Sequence, residues 1–215
     1  AVSAVINDIE LIELPLTNDF QPDPGLLAGL NTSAETKLLF LCSPNNPSGN
    51  SYSTSRVEEI IANFNGIVII DEAYIDFSEN ESWLTRLAEF PNLIVMQTFS
   101  KAWGLAAARL GVAYASEEII TLFNKVKPPY NVSRPNQEAA IEALGKVSEV
   151  KNNIASILTQ RSWLEENLAK LNVVKRIYPT DANFMLIEVD NANELYEDLI
   201  AMKIIVRNRH GLVRN

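Results

Sequence analysis

Three short, continuous apolar runs constrain this chain more than anything else in it: KLLFLC at 37–42, GIVIID at 66–71 and NLIVMQTF at 92–99. Runs of this length without polar alternation belong to strands buried on both faces, the habit of parallel strands covered by helices. Enough residues separate Cys42 from Ile67, and Asp71 from Leu93, for the crossover that each parallel pair requires. The first gap holds RVEEIIANF, opened by Ser55-Arg-Val-Glu58 at capping-box spacing. The second holds a predicted helix around 80–89. IELIELPL (9–16) alternates like a strand, LGVAYA (110–115) reads as another, and the opening AVSAVIND reads as the back half of a helix. The expected fold class is α/β, a mostly parallel sheet sandwiched by helices, with a smaller α+β domain behind it.

That second part begins after residue 126. KPPYNVSRP carries three prolines, each of which disfavours helix in the residue before it. A helical stretch over about 136–171 follows, interrupted near Gly145. VVKRIY (173–178) and ANFMLIEV (182–189) then read as strands, NANELYEDLIAMK as a helix and IIVRNR (204–209) as a third strand. The expected organisation is a large domain over 1–126, a connecting helical segment over 127–171 and a small C-terminal domain over 172–215.

Charge and composition exclude several classes of function. A net charge of -9 without a basic block argues against nucleic acid as a partner. No apolar run approaches the roughly 20 residues that cross a bilayer, so no membrane partner is expected. One cysteine, Cys42, and one histidine, His210, leave neither a disulfide framework nor a histidine metal cluster. The expectation is a soluble cytoplasmic protein without a metal. Cys42 reads as a packed core residue, His210 as solvated, and Trp83, Trp103 and Trp163 as packing residues.

In open α/β sheets, ligands collect at the carboxyl ends of the strands. Here KLLFLC runs into SPNNPSG (43–49), GIVII into DEAY (71–74), and NLIVMQTF into Ser100 and Lys101. Parallel strands would put Asn46, Asp71 and Lys101 on one edge. Each piece alone has a plainer reading: NNPSG as a turn, the aspartate as a cap, the lysine as a solvated charge and Arg109 as a surface ion pair. Their common edge favours a joint role. Lysine, carboxylate, amide, phenol, hydroxyls and guanidinium together suit pyridoxal phosphate, whose aldehyde takes an amine, whose pyridine nitrogen pairs with an acid and whose phosphate takes hydroxyls and an arginine.

SPNNPSG (43–49), DEAYIDF (71–77) and TFSKAWGLAAARLG (98–111) resemble the signatures of the fold-type-I pyridoxal-phosphate aminotransferases, the histidinol-phosphate group most fully. PPYNVSRPNQEAA (128–140), DANFMLIEV (181–189) and IIVRNR extend the likeness over nearly the whole chain. The resemblance implies that Lys101 is the covalent cofactor lysine and the acid/base, and that Asp71 binds the pyridine nitrogen. Asn46 and Tyr74 would bond the phenolic oxygen, and Thr98, Ser100 and Arg109 the cofactor phosphate. Arg207 would bind the phosphate of the substrate, a phosphorylated amino alcohol whose amino group passes to 2-oxoglutarate to give glutamate. It also implies a homodimer. Ser48 stands where threonine is commoner and Ala107 where glycine often is. Lys101, packed against a cofactor, would be partly desolvated.

By the same resemblance, a glycine-containing phosphate loop, a cross-subunit tyrosine and a ring-stacking aromatic should precede residue 1. A carboxylate-binding arginine should follow Asn215, in a chain of about 350 residues against a prior of ~100–200 per domain. Threonine-phosphate decarboxylases and aromatic aminotransferases share these motifs, and a non-catalytic fragment or scaffold is the alternative of another class. Asn183 has a turn role or a substrate contact open to it, and Tyr130 and Asn131 a contact in the inter-domain segment.

Overall fold

The computed structural model describes residues 2–30 and 36–211. Two short helices, α1 (Val2–Ile6) and α2 (Pro24–Leu30), precede the first strand. The main sheet has four strands in the order β1 (Leu38–Cys42), β2 (Ile67–Asp71), β3 (Leu93–Thr98) and β4 (Gly111–Ala115). The first three run parallel, as the apolar runs predict, and β4 returns antiparallel to β3. Cys42 pairs with Asp71 and Asp71 with Met96, so β1 and β2 end level with one another and β3 runs two residues farther, to Thr98.

Helix α3 (Thr54–Asn63) crosses from β1 to β2. Its buried Val57, Ile60 and Ile61, continued by Phe64, follow the i, i+3, i+4, i+7 stripe and meet Val68, Ile70, Leu93, Val95 and Trp83. Each such aliphatic side chain contributes about 1.5–3 kcal/mol on burial. Ile69 and Ile94 alternate to the other face and pack on Ile119 of α4 (Glu117–Val126). β2 and the first half of β3 are therefore buried on both sides. β1 departs from that expectation: Leu38 and Phe40 are exposed, because α3 covers only its other face.

Several boundaries also differ from the sequence reading. The N-cap of α3 is Ser53, with no side-chain cap bond, and Glu58 ion-pairs with Arg86 in place of closing a box on Ser55. Residues 83–89 form a 3-10 helix, which stops where Pro91 disfavours helical backbone at Phe90. Residues 9–16 are extended without joining a sheet, because their alternation gains no hydrogen-bonded neighbour among the described residues.

Helices α5 (Arg134–Leu144) and α6 (Val147–Leu168) break at Gly145 as expected. A second sheet pairs β5 (Val174–Ile177) with β6 (Ile187–Val189), antiparallel, followed by α7 (Ala192–Ala201). The third strand expected at 204–209 is absent. That segment is irregular and largely exposed, held to α7 by a 2.8 Å bond from Asn208 to Asn193 and by none to β6.

The segment between β5 and β6 is fastened to the turn after β1. Asp181 N–H donates to the Gly49 carbonyl at 2.8 Å, and Ser51 N–H donates to Asp181 Oδ2 at 2.9 Å. Arg161 of α6 donates to the carbonyls of Ala182 at 2.8 Å and Phe77 at 3.3 Å. No helix among the described residues is long and apolar enough to cross a membrane.

Candidate active site

The carboxyl ends of the parallel strands β1, β2 and β3 bring the turn at 43–50, the Asp71–Tyr74 segment and the Ser100–Lys101 turn to one edge of the sheet. Ser48 and Asn45 are buried and bonded to each other at 2.7 Å, which folds the turn so that Asn46 stands exposed at its tip. Asn46 Nδ2 donates to the Tyr74 hydroxyl oxygen at 3.1 Å. With that oxygen accepting, the phenolic proton is free to be donated elsewhere, and Asn46 keeps a second amide proton. The pair is a ready two-donor site for an oxyanion.

Lys101 Nζ lies 5.0 Å from the centroid of the Tyr74 ring, within cation–π range. Asp71, half-buried at the end of β2, accepts from the Ala73 N–H at 3.0 Å, which leaves most of its acceptor capacity open. The turn that carries Lys101 is closed by bonds from Gly104 N–H to the Lys101 carbonyl at 3.0 Å and from Leu105 N–H to the Phe99 carbonyl at 2.9 Å. Gly104 has φ +70° and open space where a Cβ would stand, a conformation glycine adopts without steric cost. Lys101 is exposed, with the Tyr74 ring flanking it on one side.

Thr98 Oγ1 accepts from Ser100 N–H at 3.1 Å and donates to the Leu110 carbonyl at 3.3 Å. Its hydroxyl therefore shapes the turn from inside it. Arg109 is exposed in the left-handed region (φ 48°, ψ 42°) and donates to the Ala106 carbonyl at 3.1 Å. That conformation costs a side-chain-bearing residue about 1–2 kcal/mol. Arg207 is apart from these residues. It is exposed on the irregular segment after α7, and no hydrogen bond, ion pair or ring contact joins it to them.

Cys42 also differs from its reading as a core residue. It is exposed at the end of β1, while partial desolvation and then the charge of Asp71 push its thiol up to about 11. A thiol held protonated in this way is a poor nucleophile. Trp83 is buried and Trp103 packs on Phe99 at 5.4 Å, as expected of packing residues, whereas Trp163 is exposed. Among the described residues no His, Cys, Asp and Glu are grouped to hold a metal ion.

Two contributors are missing from the sequence reading. Glu72, beside Asp71, is 1% exposed and accepts from Ser82, Trp83 and Gln97. Phe184 meets the Tyr74 ring edge-on at 5.1 Å. For Glu72 the available signal was strand alternation, which sends a residue next to Asp71 to the opposite face. For Phe184 no local signal exists, because its contact joins residues over a hundred positions apart.

The chain matches the model of the family described as aminotransferase class I and II over residues 1–212, and it belongs to that family. Within it, the chain is 52% identical over 209 residues to the histidinol-phosphate aminotransferase of Flavobacterium johnsoniae, covering 97% of this chain and 59% of that protein. The chain thus spans about three-fifths of the length of the curated relatives it matches. The crystal structure of the histidinol-phosphate aminotransferase from Clostridium acetobutylicum superposes with a TM-score of 0.89 at 20% identity, over all of this chain and 66% of that one. The Sinorhizobium meliloti histidinol-phosphate aminotransferase in complex with pyridoxal-5'-phosphate superposes with a TM-score of 0.85 at 25% identity, over 96% of this chain and 58% of that one.

Proposed function

We propose that the full protein is a pyridoxal-phosphate-dependent aminotransferase of histidine biosynthesis. It would move the amino group of L-histidinol phosphate to 2-oxoglutarate, giving imidazole-acetol phosphate and L-glutamate. The observation that carries this reading is the meeting of Lys101, Tyr74 and Asn46 at the strand edge where β2 also ends in Asp71. The 52% identity to a protein named for that activity supports the choice of substrate.

The donor set fits the cofactor: an amine, a carboxylate with spare acceptor capacity, a two-donor oxyanion site and a turn carrying hydroxyl and guanidinium groups. When bound, pyridoxal phosphate supplies an aldehyde that captures amines and a ring that takes up the electrons released at the substrate's Cα. Asp71 would hold the proton on the pyridine nitrogen. Asn46 and Tyr74 would donate to the phenolic oxygen. Ser100 and Arg109 would hold the phosphate, with Thr98 serving it through the turn its hydroxyl fixes. Lys101 Nζ would anchor the cofactor, take the proton from Cα and deliver it to the cofactor's aldehyde carbon, and would carry a proton the opposite way when 2-oxoglutarate takes up the amino group. Arg207 would meet the substrate's phosphate. Division into a cofactor domain (1–126), a connecting segment (127–171) and a small domain (172–215), assembly as a homodimer and residence in the cytoplasm complete the reading.

The test supplies the full-length protein with the cofactor, histidinol phosphate and 2-oxoglutarate and follows glutamate. Glutamate formation that disappears in Lys101→Ala supports the assignment. Carbon dioxide release from a phosphorylated amino acid in place of glutamate, or turnover that survives Lys101→Ala, would overturn it.

A further inference from the structure

Glu72 is a costly residue to bury, and its surroundings say what it does. Successive strand residues point to opposite faces, so Glu72 lies behind the sheet edge on which Asp71 sits, with 1% of its surface exposed. Its Oε1 accepts from the Trp83 N–H at 2.7 Å, and its Oε2 accepts from the Ser82 hydroxyl at 2.5 Å and Gln97 Nε2 at 2.9 Å. Ser82 Oγ itself accepts from Gln97 Nε2 at 3.3 Å and from Leu84 N–H at 3.1 Å, which commits its own proton to Glu72. Among the described residues no cation takes part in this network. A buried carboxylate is tolerated only where donors replace its water, and an apolar residue would fill the same space without that demand.

The position of the network explains the carboxylate. The backbone ladder between β2 and β3 ends at Asp71 and Met96, with a last bond from Glu72 N–H to the Met96 carbonyl at 2.8 Å. Past that point β2 turns into the Tyr74 segment, while β3 runs on through Gln97 toward Lys101. The Glu72–Gln97 bond ties these two departing chains one residue farther out. The bonds to Ser82 and Trp83 fasten the far side of the same Asp71–Tyr74 segment, after its 3-10 turn at Ile75–Phe77. Three chain segments therefore converge on one carboxylate directly behind Asp71.

We propose that Glu72 is a positioning residue that holds Asp71 against the pyridine nitrogen of pyridoxal phosphate and in register with Lys101. The proposal rests on the cofactor reading above. Glutamine in its place would present an amide N–H where Ser82 and Gln97 now donate, so at least one of the three bonds would be lost or reversed in direction.

The experiment uses the full-length apo protein as unmutated chain, Glu72→Gln, Ser82→Ala and Asp71→Asn. Cofactor affinity is titrated with pyridoxal phosphate, the ring-nitrogen resonance is read with 15N-labelled cofactor, and unfolding of each apo protein is measured alongside. Glu72→Gln should weaken cofactor binding tenfold or more and move the 15N resonance toward that of Asp71→Asn. Ser82→Ala should move both in the same direction by less, and it carries the test should Glu72→Gln fail to fold. Variants whose affinity stays within twofold and whose 15N resonance stays with the unmutated protein would overturn the proposal. An unmutated protein that takes up no cofactor would overturn the cofactor reading instead, and the positioning role with it.

Discussion

Replacing Gly49 with alanine should cost far more than one methyl group suggests. Gly49 has φ +87°, a backbone that L side chains rarely adopt, and a Cβ there would stand 2.5 Å from Thr180 Oγ1, 2.9 Å from Thr180 Cβ and 3.5 Å from the Phe184 carbonyl oxygen. The left-handed backbone contributes about 1–2 kcal/mol. Thr180 would also have to move, and its Oγ1 donates to the Phe184 carbonyl at 2.6 Å and accepts from Ala182 N–H at 3.1 Å. Losing those two bonds adds about 0.5–1.5 kcal/mol each, for a total of roughly 2–5 kcal/mol. The loss should be read by urea denaturation of the full-length protein, beside Thr180→Ala and the double variant. Thr180→Ala removes the nearest clashing atom, so the double variant should be less destabilised than the sum of the singles by at least ~0.5 kcal/mol. Additive effects, or a Gly49→Ala cost below about 0.5 kcal/mol, would refute the close approach of the two turns. Because Phe184 also packs on Tyr74, Gly49→Ala should weaken cofactor binding as well.

Tyr74→Phe removes the acceptor for Asn46 and the free phenolic proton. It should weaken pyridoxal phosphate binding in an absorbance titration while costing the fold less than about 1 kcal/mol, since the pair is exposed. Arg161→Ala removes charged donors from the Phe77 and Ala182 carbonyls, and a loss of about 1.5–3 kcal/mol should accompany faster hydrogen exchange over 180–184. Burial raises the Glu72 pKa above its ordinary 4.5, outweighing the bonds from Ser82, Gln97 and Trp83. The folded state then binds this proton more tightly than the unfolded chain, so the contribution is greatest below 4.5 and is lost as pH rises through the folded value. Glu72→Gln should flatten that limb of a stability-against-pH curve, and an unchanged slope would contradict the burial argument.

The parallel sheet was legible because its evidence is local. Runs such as GIVIID and NLIVMQTF need no partner to announce strands buried on both faces, and their carboxyl ends, on one edge of the sheet, then place Asn46, Asp71 and Lys101 together. The misreadings share a different cause. Residues 9–16 and 204–209 carry strand-like patterns, but a strand also requires a hydrogen-bonding neighbour, which pattern does not supply. Ser55 and Glu58 have capping-box spacing, yet Glu58 is drawn to Arg86 across the fold. Arg161 and Phe184 gain their roles from partners distant in the chain, and their neighbours in sequence carry no trace of them; for Glu72 the local signal gives only the face it points to.

Borohydride reduction of the full-length protein after loading with one equivalent of pyridoxal phosphate, followed by peptide mass analysis, tests the central assignment most directly. The account predicts one pyridoxyl group per chain, on Lys101, and its loss in Lys101→Ala. A chain that takes up no cofactor, or carries the adduct on another lysine with Lys101 unmodified, would contradict it.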